Sequence, residues 1–100
     1  MVRVERNKDQ NFDVMVNGSD VGTVSMHDEF DIAYVEVDEE HRGNGYGPKA
    51  VRQVVETVTD ETNRSIRVST PVDDSIRWIL REIGFQEEFV MGDKILVLYQ

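Results

Sequence analysis

The chain has no cysteine, and that one absence removes a disulfide framework, a thiolate zinc site and a cysteine nucleophile together. It has little lysine either. Lys8, Lys49 and Lys94 are the only ones in 100 residues, and Lys plus Arg number 11 against 20 Asp plus Glu. The resulting formal charge of -9 argues against nucleic acid, whose phosphates need a cationic face. No apolar run reaches the length of a membrane span, and Met1-Val2-Arg3-Val4-Glu5 lacks a signal-peptide core. No membrane partner is expected, and a soluble cytoplasmic location is. His27 and His41 stand alone in sequence and make no metal constellation, so no metal is expected. A carboxylate excess with so little lysine also fits a halophilic source, in which case the acidity is environmental and carries no information about substrate.

With two prolines, 39% apolar and 31% charged residues, the composition is that of a globular chain. Its length predicts one domain over residues 1–100. Val2 and Val4 alternate with Arg3 and Glu5, and Phe12, Val14 and Val16 with Asp13 and Met15, at the period of two that marks strands. Asn17-Gly18 is a hairpin signal, followed by a returning strand over 21–26 and a fourth over 31–37. Pro48 suits the first position of a helix whose Ala50, Val51, Val54, Val55 and Val58 share one face. A short strand over 65–69 comes next. Ile76, Ile79, Leu80 and Ile83 then define a second helix, with Asp73, Asp74 and Ser75 as cap candidates and Gly84 as its stop. A closing hairpin joins Phe89–Met91 to Lys94–Tyr99 through Gly92-Asp93. The predicted order is ββββαβαββ, an α+β domain with a mostly antiparallel sheet and one parallel pair across the first helix.

Between the fourth strand and that helix lies Arg42-Gly43-Asn44-Gly45-Tyr46-Gly47. Alternate glycines allow φ > 0 and a close backbone approach, so successive N–H groups can converge on an anion at a helix start. His41, Arg42 and Lys49 make this a basic island in an acidic chain. The spacing does not fit a dinucleotide fingerprint, whose third glycine comes one residue later and whose turn follows the strand directly. A Walker A loop also fails, because no Gly-Lys-Ser/Thr follows.

The hexapeptide resembles the acetyl-coenzyme A loop of the GNAT acetyltransferase superfamily, Arg/Gln-x-x-Gly-x-Gly/Ala, at every specified position. Val37-Asp38-Glu39-Glu40-His41 has the spacing of the Val-x-Pro-x-Tyr lead-in common there. Residues 73 to 85 are similar to the family's Asn-x-x-Ala…Tyr-x-x-x-Gly-Phe helix, and the likeness extends over residues 10 to 100 with the element order intact. It implies a GNAT-like sheet whose fourth strand splays from its parallel neighbour. It further implies acetyl-coenzyme A as cofactor, held by Val35, Val37, Arg42, Gly43, Asn44, Gly45, Tyr46, Gly47, Pro48 and Asp73, with Lys49 adding charge. The reaction implied is N-acetylation of a primary amine by direct attack on the thioester.

The family's thiolate-protonating tyrosine falls on Leu80, its asparagine on Asp73 and its small residue on Ile76. Tyr34 and Tyr46 are the other hydroxyls of the region, each also readable as a packing or loop side chain. Asp31 is the first candidate base, read as in phase with Val35 and Val37, and the alternative for it is a solvated surface carboxylate. Trp78 is expected to pack the second helix. Only residues 7–11 separate the first two strands, where the family carries a helical pair that walls the acceptor groove. The acceptor site is therefore expected to be open, completed by a second subunit in a homodimer or by a macromolecular substrate. An acidic groove favours a cationic amine. Two other readings stand beside this one: a non-catalytic coenzyme A-binding or protein-interaction module, and a domain whose glycine loop is purely structural.

Overall fold

The computed structural model describes residues 1–69 and 71–100. Seven strands form one sheet: β1 (Val2–Arg6), β2 (Phe12–Val16), β3 (Ser19–Asp28), β4 (Asp31–Val37), β5 (Ile66–Val68), β6 (Gln86–Val90) and β7 (Asp93–Leu98), in spatial order β1-β2-β3-β4-β5-β7-β6. Two helices, α1 (Tyr46–Glu61) and α2 (Asp74–Ile83), complete the predicted ββββαβαββ order. Every strand pair is antiparallel except β4–β5, which the crossover through α1 makes parallel.

The valines of α1 are buried without exception on its inner face, against Phe12, Val14, Val24, Ile32, Ile66 and Val68 of the sheet. Four β-branched valines make a poor isolated helix, so this packing is what holds α1 in shape. Ile76, Ile79 and Leu80 of α2 join the same core. Gln53 of α1 also reaches the edge strand β1, accepting from Val4 N–H at 3.1 Å and donating to the Val2 carbonyl oxygen. These bonds satisfy backbone groups on a sheet edge that would otherwise be open to another chain.

Two of the boundaries that differ from those expected have a local physical cause. Helix α1 begins at Tyr46, so Pro48 is its third residue; an N–H there has no intrahelical acceptor, and proline loses nothing by lacking one. Strand β6 starts at Gln86, because Gly84 at φ 127° turns the chain out of α2 immediately. Trp78 is 65% exposed and does not pack the core, since Ile76, Ile79 and Leu80 already fill the inner face of α2. The β1–β2 connection is a tight turn in which Asn7 Oδ1 accepts from the N–H groups of Asp9 and Asn11 at 2.9 and 3.2 Å.

The decisive irregularity is in β4. Val24 opposes Val35 while Met26 opposes Ile32, so β4 advances three residues where β3 advances two, a β-bulge. Ile32 and Val35 consequently both face the helices. Asp31 then shares the opposite face with Tyr34 and Glu36, and not the face of Val35 and Val37 that strict alternation implies.

Candidate active site

Strands β4 and β5 pair at only two positions, Asp31 with Arg67 and Ile32 with Val68, and then separate. Beyond that point β4 still pairs with β3, where Asp38 N–H donates to Val21 O at 2.8 Å. Antiparallel alternation therefore turns the amide groups of 34 and 36 towards β3 and those of Val35 and Val37 into the gap that β5 has left.

The gap opens onto a cavity of about 560 Å³, lined by Val35, Glu36 and Val37 of β4, by the glycine loop and the first turn of α1, and by Asp73 and Ser75 before α2. Gly43 and Gly45 adopt φ of 86° and 76° on either side of Asn44, a conformation that L side chains rarely adopt. A Cβ built on either glycine meets no atom within 4 Å, so the loop turns its backbone to open space. The opposite holds at Gly47. A Cβ there would lie 3.4 Å from Ile76 Cδ1 and 3.7 Å from Val35 Cγ1, so this glycine brings α1 close to β4 and α2. Among the described residues no protein acceptor takes the N–H groups of Gly43, Gly45, Tyr46 and Gly47, while that of Asn44 closes the turn over residues 42 and 43. Four free donors, reinforced by the positive end of α1, make a nest for an anion such as a pyrophosphate.

Arg42 and His41 also line the cavity, and Lys49 is exposed outside it. Arg42 Nε donates to Val37 O at 2.8 Å, tying the loop to the end of β4 and leaving the rest of the guanidinium for a ligand. Asn44 Nδ2 donates to His41 O at 2.9 Å, and Tyr46 lines the cavity from the start of α1. Asp38, Glu40 and His41 bring one potential ligand atom each within 4.8 Å of one another, a grouping that spacing had not suggested. Both carboxylates in it are solvent-exposed.

Asp73 caps α2: its Oδ1 accepts from Ile76 N–H at 3.0 Å and from Ser75 Oγ at 2.7 Å. The Ile76 bond, and then that of Ser75, hold its carboxyl below the ordinary carboxylate range. Its second oxygen remains for a ligand donor such as an amide N–H. Asp31 lies elsewhere. It is 6% exposed and off the cavity lining, with its carboxylate accepting from Ser69. Tyr34 is 55% exposed on the open face of the sheet, its ring 6.4 Å from that of His27. Leu80 is fully buried in the core. Sequence reading took Ser75 only as a cap candidate and missed it as a lining residue, because it fills an unspecified position of the 73–85 motif.

The model of the acetyltransferase (GNAT) family matches residues 3–85. No curated protein sequence matches the chain. Among solved structures, a GCN5-related N-acetyltransferase from Rhodopseudomonas palustris superposes with a TM-score of 0.63 at 14% identity, over 91% of this chain and 61% of that one. The PaiA N-acetyltransferase of Thermoplasma acidophilum, solved with coenzyme A, gives 0.62 at 10% identity over 90% and 60%. A GNAT family acetyltransferase of Elizabethkingia anophelis with acetyl-CoA bound gives 0.60 at 11% identity over 91% and 76%. At such identities the structural likeness carries the fold alone, and this chain spans about 61% of the Rhodopseudomonas protein. The family match, in contrast, takes in most of the sequence, glycine loop included: the chain belongs to the acetyltransferase (GNAT) family.

Proposed function

We propose that the chain binds acetyl-coenzyme A in the β4–α1 cavity and transfers its acetyl group to a primary amine. The observation that carries this is the set of unpaired N–H groups at Gly43, Gly45, Tyr46 and Gly47, placed at the mouth of a strand gap of the same kind of fold whose Thermoplasma and Elizabethkingia representatives were solved with coenzyme A and acetyl-CoA. The free donors and Arg42 hold the pyrophosphate, and the amides of Val35 and Val37 receive the pantetheine arm as an added strand would. Asp73 offers its free oxygen to an amide N–H of that arm, with Gly43, Asn44, Gly45, Tyr46, Gly47 and Pro48 shaping the entrance.

The bound thioester supplies an acyl carbon that a neutral amine attacks, after which the carbon–sulfur bond breaks, the thiolate takes up a proton and the amine releases one. Tyr34, on the open face, is the side chain we assign to protonating the thiolate, since Leu80 has no proton to give. Glu36 and Tyr34 share that face, and the acidic surface around them suits a cationic acceptor. The five-residue β1–β2 turn leaves the acceptor side unwalled, which a macromolecular substrate or a second copy would fill.

A second reading is a coenzyme A-binding module without turnover, favoured by the burial of Leu80 where the family carries a tyrosine. Titration with acetyl-coenzyme A, followed by thiol release with a panel of amines, decides between them. Saturable binding with thiol release supports the transferase, and binding without release supports the module. The absence of binding removes both.

A further inference from the structure

Asp31 is the one charged residue buried among the described residues, and the cavity makes no use of it. Its surroundings explain its burial. In the parallel ladder, Arg67 N–H donates to Phe30 O at 2.7 Å, and the next donor from the β5 side is Ser69 N–H, whose ladder acceptor would be the Ile32 carbonyl. That bond closes the last ladder pair, Ile32 with Val68. Ser69 N–H also donates to Asp31 Oδ1 at 3.2 Å, and Ser69 Oγ donates to Asp31 Oδ2 at 2.5 Å. Arg67 stands 3.9 Å from Asp31 Oδ2 and 3.7 Å from Asp28 Oδ2, supplying the counter-charge. The parallel pairing ends at Ile32 and Val68, next to the Ser69 that the carboxylate holds.

We propose that Asp31 is a positioning residue for the acyl donor: its carboxylate, clamped on Ser69, fixes the point at which β4 and β5 part and so sets how deeply the pantetheine arm and acyl group enter the gap. This rests on the function proposed above. A carboxylate is suited to the task because it accepts two hydrogen bonds at once from one residue and, being buried beside Arg67, keeps its partners. Asparagine reproduces the contact in part, with one oxygen for Ser69 N–H and an amide for a reoriented hydroxyl, whereas alanine removes it and releases Ser69 to continue alongside β4.

The test compares wild type, Asp31→Asn, Asp31→Ala and Ser69→Ala as full chains. Cross-strand NOEs between β4 and residues 67–69 come first, because they need no ligand. In Asp31→Ala they extend past Ile32, and in Asp31→Asn they do not. Acetyl-coenzyme A affinity falls at least tenfold in Asp31→Ala, severalfold in Ser69→Ala, and returns to within about threefold of wild type in Asp31→Asn. In turnover KM follows these affinities, and the pH profile of kcat keeps its shape in Asp31→Asn. Unchanged NOEs in Asp31→Ala overturn the proposal. So does a loss of kcat in Asp31→Asn with unchanged KM and a missing pH limb, which would make Asp31 the general base. If Asp31→Ala does not fold, unchanged affinity in Ser69→Ala overturns it alone. Should wild type bind no acetyl-coenzyme A, the proposed function fails while the NOEs still decide the branch point.

Discussion

Arg42 Nε donates 2.8 Å to the carbonyl oxygen of Val37, so the side chain that opens the glycine loop is pinned to the last residue of the strand that lines the gap. This contact joins the two halves of the site. It sets the loop's distance from β4, and it leaves Val37 N–H and both amide groups of Val35 as the unclaimed donors and acceptors on that edge.

Arg42→Ala removes both this tie and a charge. Hydrogen bonds to charged groups contribute about 1.5–3 kcal/mol, so affinity for acetyl-coenzyme A should fall roughly ten- to a hundredfold. Arg42→Lys keeps the charge without the fork and should fall between the two. Titration at two salt concentrations checks this: the wild-type affinity should weaken more steeply with salt than that of Arg42→Ala. Equal salt slopes would leave Arg42 outside the anion site.

Gly45→Val places a β-branched residue at φ 76°, where the strain is about 1–3 kcal/mol. The nearest atoms are beyond 4 Å, so the fold should survive with a lowered melting temperature while cofactor binding drops at least tenfold. Circular dichroism and calorimetry read the two effects separately. Unaltered affinity would remove the loop from the cofactor site.

Acid should act through Asp73. Its carboxyl is held below the ordinary value of 3.8 by the Ile76 N–H, so the folded state binds its proton less readily than the unfolded state. The stabilisation is therefore present above that value and disappears as pH falls through the lowered one. Asp73→Ala should cost about 1 kcal/mol at neutral pH as a lost helix cap. The difference from wild type should shrink in denaturant melts taken progressively below pH 4. A gap that stayed constant into strong acid would contradict the cap assignment.

With a formal charge of -9 on 100 residues, self-repulsion destabilises the folded chain in dilute buffer. Screening should raise the melting temperature between low and molar potassium chloride by several degrees. Identical melts would argue against both the repulsion and a halophilic source.

The order of elements, the hairpin at Asn17-Gly18, the valine face of α1 and the glycine loop were all legible in the residues alone. These features are local: periodicity, turn chemistry and φ preference are written in neighbouring residues. The face of Asp31 was not legible in this way. Alternation put that carboxylate with Val35, and the bulge opposite Ser25 and Met26 moved it to the other side. Nor does local pattern show that Ser69 would meet Asp31, 38 residues away in sequence, or that Arg42 would turn back onto Val37. Ser75 came to line the cavity because the start of α2 lies beside β4 and the glycine loop. Bulges, strand separation and long-range polar contacts arise from what each strand meets across the sheet, and that meeting exists only once the chain has folded.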